Sequence, residues 1–184
     1  IEGYTNLPGY TTGQTIKFHI STSAPNYKLT IYRVGWYNGV GARRVTDPVT
    51  RKGLLQAVPP PDPATGLVDA GWKSTYSLKV PTTWTSGFYL AKLEAVPSGL
   101  QRYIPFVVRN TTQPATYLFQ SPVNTWQAYN SWGGKSLYGF NSTNGVPAYK
   151  VSFNRPNEVD GSGALFSWEI NMVRFLEREG YDIS

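Results

Sequence analysis

Cysteine is absent from the chain, and histidine and methionine occur once each. The first absence excludes disulfides, thiol nucleophiles and thiolate metal sites. With His19 as its only histidine, the chain cannot build a Ser-His-Asp triad and still spare a histidine for a metal. Acids are scarce, 11 Asp and Glu against 17 Lys and Arg, for a formal net charge of +6. That surplus is scattered, and only Arg43-Arg44 and Arg51-Lys52 are adjacent. Surfaces that track phosphates cluster their cations along one face, so a solvated basic surface is expected and no nucleic-acid partner. No apolar run approaches a membrane span, and no stretch reads as a signal peptide. Ile rather than Met at position 1 points to a removed start and leaves a secreted or extracellular location open.

What is present suffices for a folded core. The chain has 184 residues, 40% of them hydrophobic and 15% aromatic. Its first part has strand period. Ile16, Phe18 and Ile20 alternate with Lys17, His19 and Ser21, which sends His19 to the polar face. Leu29 and Ile31 alternate with Thr30, Tyr32 and Val34 before the turn "GWYNGVGAR", and Tyr76, Leu78 and Val80 share one face of "STYSLKV". "GFYLAKLEAV" and "QRYIPFVVRN" complete a series of short strands punctuated by Gly, Pro, Asn and Ser. That spacing predicts an antiparallel β-sandwich of immunoglobulin-like type over residues 1–110. The Pro-rich stretch "DPVTRKGLLQAVPPPDPATGLVDAG" is expected to be a surface excursion.

The pattern changes near Asn110. "RNTTQPA" reads as a linker and "TYLFQS" as a brief strand. Turn-rich sequence leads to one convincing helix, Ala164 to Glu179, with Leu165, Phe166, Ile170, Met172, Val173 and Leu176 at helical spacing and Gly180 as its stop. "YDIS" then reads as the start of another strand. Residues 111–184 therefore predict a partial α/β domain, incomplete at its carboxy-terminal end, because a lone βαβ opening cannot bury both faces of its sheet. The stripe of Leu165, Met172, Val173 and Leu176 is expected to need a cover: a missing carboxy-terminal segment, or another chain, over residues 164–184.

"NTWQAYNSWGGKSLYG", Asn124 to Gly139, holds two Trp, two Tyr and two Asn but neither an acid nor a histidine. It cannot supply an acid/base pair by itself, since only Lys135 and the phenols titrate. "GGKS" lacks the spacing of a phosphate loop. "NTT" at Asn110 and "NST" at Asn141 are glycosylation acceptors only in a secretory pathway.

"GWYNGVGAR", "SGFYLAKL", "YIPFVVR", "TWQAYNSWGGKSLY" and "MVRFLEREGYD" occur in this order, and the chain so resembles the large (beta) subunit-like family of N,N-dimethylformamidase, in its amino-terminal portion. The resemblance implies a β-sandwich leading into a domain like that of glutamine amidotransferases. It also implies hydrolysis of a small substituted amide, at a non-peptide C–N bond, by a ferric iron held on two Tyr phenolates and one Glu. Carried over residue by residue, the phenolates match Tyr89 in "SGFYLAKL" and Tyr129 in "TWQAYN". The Glu and a nearby His belong to a His-x-Glu pattern that this chain lacks, so the third ligand is not in the chain. Glu169 is the nearest carboxylate offered in its place. Such an iron would polarise a formyl carbonyl and acidify bound water. Trp126, Asn130 and Trp132 are the substrate-binding candidates, with Asn124 beside them.

The residues alone also support plainer readings. Tyr89 alternates with Ala91, Leu93 and Ala95, as would a core tyrosine whose hydroxyl ties down a backbone group. Trp126 and Trp132 suit burial, and Glu169 suits a solvated or salt-bridged helix face. A second class of function stays open beside the amide hydrolase: a noncatalytic extracellular module that binds glycan on its aromatics or joins copies of itself into an oligomer through strand edges.

Overall fold

The computed structural model describes residues 1–112 and 115–184; Gln113 and Pro114, within the stretch read as a linker, lie outside the described residues. The chain is mostly β. Strands β1 (Glu2–Thr5), β3 (Thr15–Ser21) and β7 (Tyr76–Lys79) make a small antiparallel sheet, in the order β1-β3-β7. A larger sheet runs β2-β9-β8-β4-β5, from β2 (Gly9–Thr11), β9 (Gln101–Arg109), β8 (Gly87–Val96), β4 (Asn26–Val34) and β5 (Ala42–Arg44). Strand β6 (Val49–Lys52) also pairs with β4, and β2 lies parallel to β9.

The period-two pattern explains how the sheets pack. Ile16, Phe18 and Ile20 of β3 are fully buried and meet Leu29 and Ile31 of β4, Tyr89, Ala91 and Leu93 of β8, and Phe106 and Val108 of β9. This is the core between the two sheets. The alternate residues of β8, Phe88 and Leu90, point to the other side of the large sheet. With Val34 they form a second core against Trp126, Leu165, Ile170 and Val173. These belong to helix α1 (Val123–Tyr129), to a π-helical turn (Leu165–Glu169) and to helix α2 (Ile170–Arg178). The large sheet is therefore covered on both faces, and each side chain fully buried there contributes roughly 1.5–3 kcal/mol.

Charge fixes α2 on the sheet. Glu177 accepts from Arg33 at 2.6 Å and from the Trp36 backbone N–H at 3.0 Å. The Arg33 guanidinium also donates to the Ser86 carbonyl and the Tyr37 hydroxyl. Burial alone would depress the Arg33 pKa, but the hydrogen bond and charge of Glu177 outweigh it and hold it raised. Gly35 leaves the room this contact needs, because a Cβ there would meet Glu177 Oε2 at 1.9 Å.

Several expectations change. The aromatic stretch contains a helix, α1, which its polar composition concealed. The long helix is a π-helical turn followed by a shorter α-helix. "TYLFQS" and "YDIS" pair through a short parallel bridge at Tyr117 and Ile183, backed by hydrogen bonds from Thr116 to the Asp182 carboxylate, and neither forms a strand of its own. The Pro-rich stretch is more than a surface excursion, since it supplies β6 and the fully buried Val68, which packs with Tyr4, Trp72 and Trp132. Nor does the helix stripe wait for an outside cover throughout: Leu165 and Val173 are buried on this chain's own sheet, while Met172 is 49% exposed. His19 is half-buried, stacked on Tyr4 at 4.8 Å with Nδ1 2.5 Å from the Trp72 carbonyl.

Candidate functional site

Helix α1 ends at Asn130, whose extended backbone turns the chain away. The following loop wraps a buried arginine. Arg155, 1% exposed, donates to the backbone carbonyls of Gln127, Asn130, Trp132 and Lys135 and to the Gln127 side chain. The carbonyls of Gln127 and Asn130 belong to the end of α1, where helical partners run out, and those of Trp132 and Lys135 to the turn that follows, so the guanidinium fork meets a real deficit. Burial lowers the Arg155 pKa to about 10, against the opposing charge of Glu158. Asn130 completes the knot. Its Nδ2 donates to the Pro156 carbonyl at 2.8 Å, and its Oδ1 accepts from the backbone N–H groups of Trp132 and Glu158.

This scaffold holds one wall of a cleft of about 640 Å³. Trp126, Tyr129, Phe166 and Trp168 give it aromatic walls, and Glu158, Asp160 and Glu169 give it carboxylates. Glu169, the last residue of the π-helical turn, is 7% exposed and accepts from Trp126 Nε1 at 3.0 Å. At the rim, Val159 adopts φ +61°, a strained conformation for a β-branched residue. The rim is pinned on both sides: Asp160 accepts from the Tyr103 backbone N–H, and Gly161 approaches Tyr103 so closely that a Cβ would meet its carbonyl oxygen at 2.2 Å. Backbone strain held by its surroundings and π-helical turns both concentrate at functional sites.

The structure divides the candidates from the sequence. Trp126, Tyr129, Asn130 and Glu169 border this cleft. Trp126 is also a packing residue, stacked on Phe88, and the Asn130 amide is taken up by the fold. Asn124 is exposed on α1. Trp132 is elsewhere: it packs edge-on to Trp72 and donates to Glu2 at 2.8 Å, under β1, so it is not a wall of the cleft. Tyr89 is 1% exposed in the core between the sheets, stacked on Trp84, and donates its hydroxyl to the Thr85 carbonyl at 2.8 Å. Tyr129 instead stacks on Tyr138 at 4.3 Å, on the side of the sheet where α1 lies. The Tyr129 phenol holds the Tyr138 hydroxyl above its ordinary pKa.

Tyr89 and Tyr129 thus stand on opposite faces of the large sheet and do not converge. Among the described residues no three His, Asp or Glu side chains gather to hold a metal ion. A ferric ion on both phenols does not fit this arrangement. Sequence reasoning passed over Glu158, Asp160, Arg155, Phe166 and Trp168. Arg155 and Glu158 lie in irregular sequence that has no period to read, and Phe166 and Trp168 look like ordinary helix positions until the extra residue of the π-helical turn re-aims them.

The model of a family described as "N,N-dimethylformamidase beta subunit-like, C-terminal" matches residues 28–184, a span that contains the whole cleft. No curated protein matches. Among solved structures, a crystal structure of an uncharacterized protein from Bacillus anthracis str. Ames is 15% identical, with a TM-score of 0.37, over 59% of this chain and 85% of that one. A likeness that loose carries no argument.

Proposed function

The chain belongs to the N,N-dimethylformamidase beta subunit-like family, and from that premise we propose that its cleft serves hydrolysis of a small substituted amide. The observation that carries the reading is Glu169. It is a buried carboxylate, oriented by Trp126 Nε1, that shares an aromatic-walled cleft with the phenol of Tyr129. Hydrolysis breaks the C–N bond, adds the hydroxyl of water to the acyl carbon and leaves the second proton on the amine. A fixed carboxylate can take the proton from the attacking water, and a phenol can donate to the acyl oxygen as charge develops there. Iron is what the resemblance implies, but Tyr89 lies across the sheet, so no step is routed through a metal.

Amine release from N,N-dimethylformamide, followed with the native protein and with Glu169→Gln and Tyr129→Phe, tests the proposal. Loss of about a hundredfold or more in kcat/KM for Glu169→Gln is expected. Hydrolysis undiminished by either change overturns it.

The proposal also takes the two sheets as an immunoglobulin-like sandwich ending near Asn110, with residues 111–184 as the beginning of an α/β unit of glutamine-amidotransferase type. A second reading, a noncatalytic glycan-binding module, is favoured by one observation: Tyr129, Tyr138 and Phe140 form a solvent-facing aromatic group, with Phe140 79% exposed. Oligosaccharide binding lost in Phe140→Ala, with no amide turnover, would select it.

A further inference from the structure

We propose that the cleft takes a small alkylammonium ion, the chemical class to which the amine product of a substituted amide belongs; this rests on the reading that the cleft is the ligand site. The first ground is charge. In a chain with a net charge of +6, the residues that border the cleft include Glu158, Asp160 and Glu169 and no Lys, Arg or His. None of the three carboxylates is in an ion pair among the described residues. Their surroundings differ. Asp160 is satisfied by the backbone N–H and hydroxyl of Ser162, and Glu158 takes the Ser131 hydroxyl. Arg155 acts on Glu158 through space, from behind the wall, with its donors engaged by carbonyls and by Gln127.

Glu169 is left with one donor, Trp126 Nε1, although it is more than nine-tenths buried and a carboxylate can accept about four hydrogen bonds. With a single protein donor, this cleft-lining carboxylate keeps acceptor capacity for a cationic N–H donor from outside the chain.

The second ground is the walls. Trp126, Tyr129, Phe166 and Trp168 line the same cleft as Glu169, and Trp168 is 79% exposed. Rings of this kind attract a desolvated alkylammonium through the cation–π interaction, and Trp does so best. A neutral amide gains from the same rings by burial alone. The space of about 640 Å³ lies within the roughly 300–1,000 Å³ usual for small-molecule clefts. The same geometry disfavours formate, the anionic product, so the two products of hydrolysis would part with unequal retention.

The test is equilibrium binding to the unmodified protein, read by tryptophan fluorescence, of trimethylammonium chloride against tert-butanol, its uncharged analogue, with sodium formate as the anion. The cation is expected to bind at least about fivefold more tightly than the neutral analogue, and a smaller ratio overturns the inference. Glu169→Gln keeps an acceptor for Trp126 Nε1, so the fold is retained, and it should cut that ratio below about twofold. An unchanged ratio in the variant means that Glu169 is not the counter-charge and overturns the inference. Amide turnover is measured separately. Turnover without cation preference sinks this inference alone, and cation preference without turnover sinks the hydrolase reading alone.

Discussion

Replacement of Arg155 by Lys keeps a charge and removes a shape. The guanidinium makes five hydrogen bonds, four to backbone carbonyls and one to Gln127 Oε1. An ammonium has three donors and no planar fork, so at least two of these five acceptors, in α1 and the turn after it, lose this donor in a place that water reaches poorly. Each buried group left unsatisfied costs about 1–3 kcal/mol. A loss of about 2–6 kcal/mol follows, or roughly 4–24 °C in Tm for a chain of this length.

Thermal and urea denaturation, followed by far-UV circular dichroism, measure the loss. Limited proteolysis should locate the weakening in residues 127–135. Arg155→Met sharpens the comparison, because it also removes a charge whose burial is itself expensive. If the carbonyls dominate, Met is at least as damaging as Lys; if the buried charge dominates, Met is the milder change. An Arg155→Lys protein that melts within about 2 °C of the native one would refute the reasoning, since the five contacts would then have no net worth.

Glu177→Ala leaves Arg33 half-buried without its counter-charge and should cost about 2–3 kcal/mol, reduced from the value for a fully buried pair because both side chains keep some contact with solvent. A double-mutant cycle with Arg33→Met measures the coupling, and additivity would contradict the clamp. Burial raises the pKa values of Tyr4, Tyr10, Tyr27 and Tyr89, so the unfolded chain loses these protons first. Their contribution is intact below about pH 10 and declines as pH rises beyond it, which denaturation midpoints across that range would show. Arg155 works in the opposite direction, but one guanidinium faces four phenols. Tyr89→Phe should lower stability by about 1 kcal/mol through the lost bond to Thr85, while Tyr129→Phe changes it little; equal effects in urea melts would contradict their placement.

The sheets were legible because their signal is local. In "TIKFHIS" and "GFYLAKL" the alternation of apolar and polar or large and small residues states which side chains share a face, and both strands follow it. Helix α2 was legible in type but not in start, because a π-helical turn differs from an α-helix by one residue and leaves no compositional trace. The cleft was hardly legible. Its charge comes from Glu158, Asp160 and Glu169, and its support from Arg155, all far in sequence from Trp126 or placed in turn-rich sequence. Contacts such as Trp126 to Glu169 depend on how two elements dock on a sheet, and no period within either element encodes that.

The same alternation sets Tyr89 apart from any metal that Tyr129 could hold. If Tyr89 shares a face with Ala91 and Leu93, then Phe88 and Leu90 must face the other way. Anything packed on Phe88 and Leu90 is then separated from the Tyr89 ring by the thickness of the sheet. Helix α1 packs there through Trp126 and carries Tyr129 at its end. Two oxygens that share one metal at about 2 Å each can be no more than about 4 Å apart, whereas layers packed face to face lie about 10 Å apart. With β8 between them, the two phenols cannot meet without a change in the strand's register, and a one-residue slip would expel Leu93 and Ala91 from the core that now buries them completely. The packing of Ala91 and Leu93 therefore holds Tyr89 away from the cleft, and any metal chemistry there must draw its second oxygen donor from the side that carries Tyr129 and Glu169.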